Sequence, residues 1–145
     1  ESQAAATVLS ALVERPYGYG RIVRVRGKIS RIVEERDASP AQRKIREINS
    51  GVYVFSLASL FEALRGLATG NAQGEYYLTD LISSYRHRRF GVEVVVVEDQ
   101  NEIRGINSRS ELAEASRIVR QKKNEELMAA GVTIEDYFGP EREVA

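Results

Sequence analysis

Cysteine is absent from the 145 residues, so disulfides, thiolate metal sites and a cysteine nucleophile are excluded, and a reducing, cytoplasmic setting is expected. There is a single histidine, His87, set among arginines, so no Ser-His-Asp arrangement can be built without it and no His or Cys cluster could hold zinc. No glycine-rich loop of Walker or dinucleotide type is present. Long apolar runs are missing too. The longest, Val94 to Val97, is far below the roughly 18 residues needed to span a bilayer, and no basic-then-apolar leader opens the chain, so no membrane association is expected. Charge of one sign is also lacking: 21 basic and 21 acidic side chains cancel, leaving no net field toward nucleic acid. Only three prolines accompany a 43% hydrophobic content, a balance that fits one compact globular domain or part of one. The first residue is Glu1 rather than methionine, and the natural start is expected upstream.

What is present reads as strands interleaved with helices, an α/β class with helices covering a mixed sheet. Thr7 to Val13 is β-rich and ends before the turn-prone run from Pro16 to Gly20. Ile22 to Val25 and Ile29 to Val33 face each other across Gly27-Lys28 as a hairpin, whose alternating arginines are expected in solvent. Residues 37–46, with Pro40, suit a surface excursion with one helical turn. In the next strand, Ile48 to Phe55, Asn49 and Gly51 interrupt the apolar pattern, and a bulge satisfied by its own backbone is the plainest reason.

Ser56 is placed to cap a helix with the stripe Leu57, Leu60, Phe61 and Leu64, expected to pack on the sheet. After the polar loop from Thr69 to Gly74, a second stripe of Leu78, Leu81, Ile82 and Tyr85 runs into Arg86, His87, Arg88 and Arg89. That basic run reads as a solvated helix end complementing the dipole before it reads as a phosphate site. The β-branched run Val92 to Val97 predicts a central strand covered on both faces. Ser108 and Glu111 form a capping box that opens a helix to about Ala130, stopping before Gly131. At about 1.5 Å per residue it spans roughly 33 Å, and its polar second half is expected to leave the domain body. The expected division is therefore 1–107, a helical arm over 108–131 and a short tail over 132–145.

With nucleophile and zinc chemistry set aside, a group of small polar residues at strand ends and loops remains: Gly20, Glu34, Asn49, Tyr77, Thr79 and Asn107. Such a set suits sugar hydroxyls and a hard cation. Taken singly, each also fits a turn or cap residue.

Five runs occur in order: Gly18-Tyr19-Gly20-Arg21-Ile22, Val33-Glu34-Glu35-Arg36-Asp37-Ala38, Arg46-Glu47-Ile48-Asn49-Ser50-Gly51, the run from Asn71 through Gly74 and Tyr77 to Asp80, and Gly105-Ile106-Asn107-Ser108-Arg109. In that order and spacing the chain resembles, over about residues 7–134, the bacterial bifunctional N-acetylglucosamine-1-phosphate uridyltransferase and glucosamine-1-phosphate acetyltransferase family of cell-wall precursor synthesis. The resemblance implies part of a Rossmann-like nucleotidyltransferase fold, the half that binds N-acetylglucosamine and closes over the nucleotide. It implies that backbone at Gly20 and the side chains of Glu34 and Asn49 hold the sugar's hydroxyls and acetamido group. Tyr77 and Thr79 would line the sugar and phosphate pocket, and Asn107 would be a magnesium ligand. The helix from Ser108 is similar to the arm leading to a left-handed β-helix acetyltransferase.

The implied partners are UTP, N-acetylglucosamine-1-phosphate, the product UDP-N-acetylglucosamine, and the missing N-terminal half of the domain. Departures from the family pattern bear on activity. The N-terminal glycine-rich nucleotide segment, the aspartate that would share magnesium with Asn107 and the hexapeptide repeats are not in this sequence, and Asp136 is followed by Tyr137 rather than proline. The chain alone is therefore expected to show no uridyl transfer. A sugar- or nucleotide-sugar-binding regulator without catalysis is the alternative from a different class, and a nucleotidyltransferase for another sugar is a third reading.

Overall fold

The computed structural model describes residues 4–135, apart from 104 and 107. Five strands, β1 (Ala6–Leu12), β2 (Arg21–Val25), β3 (Lys28–Val33), β4 (Glu47–Phe55) and β5 (Val92–Val97), form one sheet in the order β3-β2-β4-β1-β5. β5 runs parallel to β1 and the other pairings are antiparallel, so the sheet is mixed as expected. Helices α1 (Leu57–Arg65) and α2 (Asp80–His87) follow β4, and α3 (Arg109–Ala129) closes the described chain. The chain divides into two compact units, 1–103 and 104–145. No helix among the described residues is long and apolar enough to cross a membrane.

The core gathers Ala6 and Val8 of β1, Ile22 of β2, Ile29 and Ile32 of β3, Ala63 of α1, and Leu81, Ile82 and Tyr85 of α2. Ile29 and Ile32 lie three apart, yet both are buried, because a bulge at Ser30 between the pairs Val23↔Arg31 and Arg24↔Ile29 resets the alternation of β3. Tyr85 is fully buried among rings, edge-on to both Phe55 and Phe90, and its hydroxyl reaches Ser59 Oγ at 3.2 Å.

Several expectations are corrected. The hairpin turns on Arg26-Gly27, one residue earlier than read, because both central residues of such a turn take positive φ (50° and 78°) while Lys28 already pairs with Val25. Arg24, Arg26 and Arg31 of the hairpin are exposed as expected, whereas Arg21, just before it, is 1% exposed. The α1 stripe is rotated, with Ala63 buried and Leu60 and Leu64 packed on the core, while Leu57 and Phe61 stay exposed. Ser56 occupies the N-cap position but its hydroxyl makes no cap bond. Most clearly, β5 is an edge strand rather than a central one, and Val95 and Val96 are 50% and 44% exposed. Its valines reflect strand propensity and the parallel register with β1, and only Val92 and Val94 pack on the core cluster.

α3 begins and ends as its sequence dictates. Ser108 Oγ accepts from the Glu111 amide at 3.2 Å. Past Ala130, Gly131 (φ 90°) donates to the Met128 carbonyl and Val132 donates back to the Leu127 carbonyl, the paired bonds of a Schellman stop. No α3 residue is buried, and Arg117–Glu114 and Lys123–Glu126 pairs line its surface.

Candidate functional site

The sheet register brings together residues far apart in sequence. Arg21 pairs with Val33 on one side and Ile48 on the other. One residue further along, Glu34, Gly20 and Asn49 therefore stand abreast, and the Asn49 amide donates to the Gly20 carbonyl at 2.9 Å. A side chain at Gly20 would be crowded: a Cβ there would meet Ile32 Cγ2 at 3.0 Å and the two Glu34 carboxylate oxygens at 3.3 and 3.4 Å. Thr79, 5% exposed at the head of α2, makes no helix cap because its hydroxyl donates instead to Glu34 Oε1 at 3.0 Å. Of the six expected residues, Thr79 and Gly20 thus lie against the Glu34 carboxylate, and Asn49 joins them through its backbone bond to Gly20.

Tyr77 stands beside them, its hydroxyl accepting from Gln73 Nε2 at 2.7 Å, which leaves its proton free to donate. Tyr77 and the half-buried Glu34 both line a cleft of about 620 Å³ between β3, the 68–77 loop and α2, with Asp37, Asn71 and Asp80 also on its wall. That volume is typical of small-molecule sites. Asp37 holds the loop in place by accepting from the Ala72 amide at 2.8 Å. Burial pushes the Asp80 carboxyl above its usual range, and the charge of Asp37 adds to the rise. Asn107, the expected magnesium ligand, lies outside the described residues.

Asn49 also serves the backbone. Val8 pairs with Tyr53 but Ser10 pairs with Asn49, so β4 bulges between them. Asn49 Oδ1 accepts from Gly51 N at 3.2 Å, Gly51 takes φ 82°, and Ser50 Oγ bridges the Leu9 carbonyl (2.7 Å) and the Val52 amide (3.1 Å). The side-chain bonds replace ladder bonds that the bulge breaks. Tyr53 projects from the far side of this bulge, and among the described residues its buried hydroxyl has the Asn49 side chain nearby but no partner at hydrogen-bond geometry. Burial raises its pKa to about 12, the nearby Asn49 amide opposing the rise and the Glu34 charge adding to it. Tyr53 is thus a neighbour of the site that residue type alone did not reveal, since it sits where a strand would carry any aromatic.

The reverse side of the Gly20–Glu34 contact holds another overlooked pair. Arg21 Nη2 meets Glu35 Oε2 at 2.5 Å, Arg21 Nη1 donates to the Tyr19 carbonyl, and Glu35 Oε2 also accepts from Gly18 N at 3.3 Å. The basic run that ends α2 behaves as a helix end, with His87 Nδ1 on the Ser83 carbonyl at 2.7 Å and Arg88 paired with Glu62 at 2.8 Å. Among the described residues no group of three or more His, Asp or Glu side chains could hold a metal ion.

A solved structure shares this architecture: a Bacillus anthracis protein assigned as a glucose-1-phosphate thymidylyltransferase, crystallised with sucrose, superposes with a TM-score of 0.54 at 20% identity, over 94% of this chain and 48% of that one. The two proteins share a fold over that stretch. No protein-family model matches the chain. Among curated proteins, the bifunctional protein GlmU of Pelotomaculum thermopropionicum is 49% identical over 134 residues, covering 92% of this chain and 29% of that protein. The GlmU of Syntrophotalea carbinolica is 47% identical over 148 residues, 99% of this chain and 32% of its own length. The chain is a homologue of the bifunctional protein GlmU, and it spans about 30% of the length of the relatives it matches.

Proposed function

We propose that the chain is the sugar-binding part of a UDP-N-acetylglucosamine pyrophosphorylase, the region that receives N-acetylglucosamine-1-phosphate. The observation that carries this reading is the convergence on Glu34. One carboxylate oxygen is fixed by Thr79, the other accepts no hydrogen bond among the described residues, the group lines the cleft, and a side chain at position 20 would crowd both oxygens. A carboxylate so held takes hydrogen bonds from sugar hydroxyls with a defined direction.

In the full reaction a phosphate oxygen of the sugar-1-phosphate attacks the α-phosphorus of UTP, a P–O bond forms, the bond to the bridging oxygen breaks, and pyrophosphate leaves. This chain's part is orientation. Glu34 and Asn49 fix the sugar ring, Gly20 lets it approach the backbone, Thr79 steadies Glu34, and the free Tyr77 proton serves a phosphate or hydroxyl oxygen. Positioning of this kind supplies a large share of the barrier reduction when no covalent enzyme intermediate forms. Asn107 is the proposed contribution of this chain to a magnesium ion whose remaining ligands come from elsewhere, and the nucleotide is bound by another segment.

The test is pyrophosphate release from UTP, N-acetylglucosamine-1-phosphate and Mg²⁺, with this chain alone and mixed with a separately made segment preceding it in a GlmU relative. Activity in the mixture alone supports the reading. A folded, associated mixture without activity overturns it and leaves the non-catalytic sugar-binding module.

A further inference from the structure

We propose that the buried pair Arg21–Glu35 is a positioning device that fixes Gly20 and Glu34 from behind. The proposal rests on the reading of Glu34 as a sugar contact. Arg21 opens β2 and points to the side opposite its neighbours Gly20 and Ile22, and Glu35, in the turn that follows Glu34, meets it there through the ion pair. Arg21 is 1% exposed, one of the largest fully buried side chains, and its Nε has no hydrogen-bond partner among the described residues. Burying a guanidinium with one donor unsatisfied is costly, and an apolar side chain of similar volume would serve packing alone at least as well.

What an apolar residue could not supply is the set of directed bonds. The guanidinium fork reaches Glu35 Oε2 at 2.5 Å and the Tyr19 carbonyl together, while Glu35 Oε2 receives Gly18 N at 3.3 Å. The loop just before Gly20 is thereby tied to the residue just after Glu34. Arg43 Nε lies 3.8 Å from Glu35 Oε1 and adds an exposed outer partner. On the other side, the clearance between Gly20 and Glu34 is only that of a missing methyl group. A small slip of the loop would close the space above Gly20 or turn Glu34 away from the cleft.

The experiment compares wild type with Arg21→Lys, which keeps the charge but loses the two-acceptor fork, and with Arg21→Met/Glu35→Leu, which removes both charges. Three quantities are read: the urea midpoint, hydrogen-exchange protection of the Asn49 amide, whose acceptor is the Gly20 carbonyl, and affinity for N-acetylglucosamine-1-phosphate by NMR titration. The double variant is expected to keep a near-wild-type midpoint while losing Asn49 protection and binding the sugar phosphate about tenfold more weakly, as when groups that orient a ligand-binding side chain are removed. Arg21→Lys is expected not to rescue protection. Wild-type protection and affinity in the double variant overturn the proposal. Should that variant not fold, the isosteric Glu35→Gln decides by the same Asn49 amide, with unchanged protection counting against. If wild type itself binds no sugar phosphate, the functional reading fails, and the amide measurement still decides the positioning role.

Discussion

The Thr79 hydroxyl donates to Glu34 Oε1 at 3.0 Å, joining the head of α2 to the residue that follows β3 across 45 positions of sequence. Thr79→Val keeps the shape and removes the donor. It is expected to cost about 1 kcal/mol of stability in urea denaturation and to weaken N-acetylglucosamine-1-phosphate binding several-fold in an NMR titration. Unchanged affinity would show that Glu34 needs no help from α2.

Gly20→Ala places a methyl group 3.0 Å from Ile32 Cγ2 and within 3.4 Å of both Glu34 oxygens. Overpacking of this kind costs roughly 1–3 kcal/mol. The urea midpoint should fall accordingly and sugar-phosphate binding should be lost, whereas a variant that binds normally would remove Gly20 from the site.

Glu47 connects three strands, accepting from Ser10 Oγ on β1 at 3.0 Å and from Arg24 on β2 at 2.6 and 2.7 Å. Burial alone would raise its pKa, but the bonds from Arg24 and Ser10 and the Arg24 charge outweigh that and hold it below the usual range. With the folded value depressed, this carboxylate contributes stability above its unfolded pKa and loses it as pH falls through the folded pKa. Wild type should therefore be more stable than Glu47→Gln at neutral pH, with the gap closing in acid. A gap independent of pH would assign the effect to packing.

Asp80 has the opposite sign. Burial and the neighbouring Asp37 raise its folded pKa, so the stability it contributes is present below the unfolded value and is lost as pH rises through the folded one. Asp80→Asn should be slightly more stable near pH 7, by about 0.5 kcal/mol or less given solvent screening, with the advantage vanishing in acid. Thermal denaturation across pH 3 to 8 reads this directly.

The parts of this fold legible in sequence are those where a local pattern and its tertiary role coincide. The α3 cap at Ser108 and stop at Gly131 are local chemistry and appear where they were read. The α2 stripe likewise became core through Leu81, Ile82 and Tyr85, although Leu78 stayed outside it. Patterns failed where cover comes from neighbours. The valines of β5 do not record how many strands flank them, and the arginines of β2 do not record that Arg21 alone turns inward.

Of the proposed site, Asn49, Gly20, Glu34 and Thr79 prove to be successive neighbours, which no single spacing announces because the first two contacts depend on the β2–β4 and β2–β3 registers and the third on where α2 begins. The bulge expected at Asn49 is real and uses its side chain. Tyr53 and the Arg21–Glu35 pair escaped notice for a related reason. An aromatic in a strand and an arginine near a glycine are ordinary residues until the fold shows what lies against them.

The bulge in β4 has a consequence for how this strand can change length. Two steps on β1, from Val8 to Ser10, are matched by four on β4, from Tyr53 to Asn49, so the surplus is an even number and leaves Asn49 and Tyr53 in the same phase. Losing one residue between them would put the site end and the core end of the strand out of phase, sending either Asn49 or Tyr53 through the sheet. Losing two would restore a regular ladder with both ends still facing as they do. Length variation here is therefore quantised in pairs, and the bulge acts as a spacer that decouples the site from the core without reversing either.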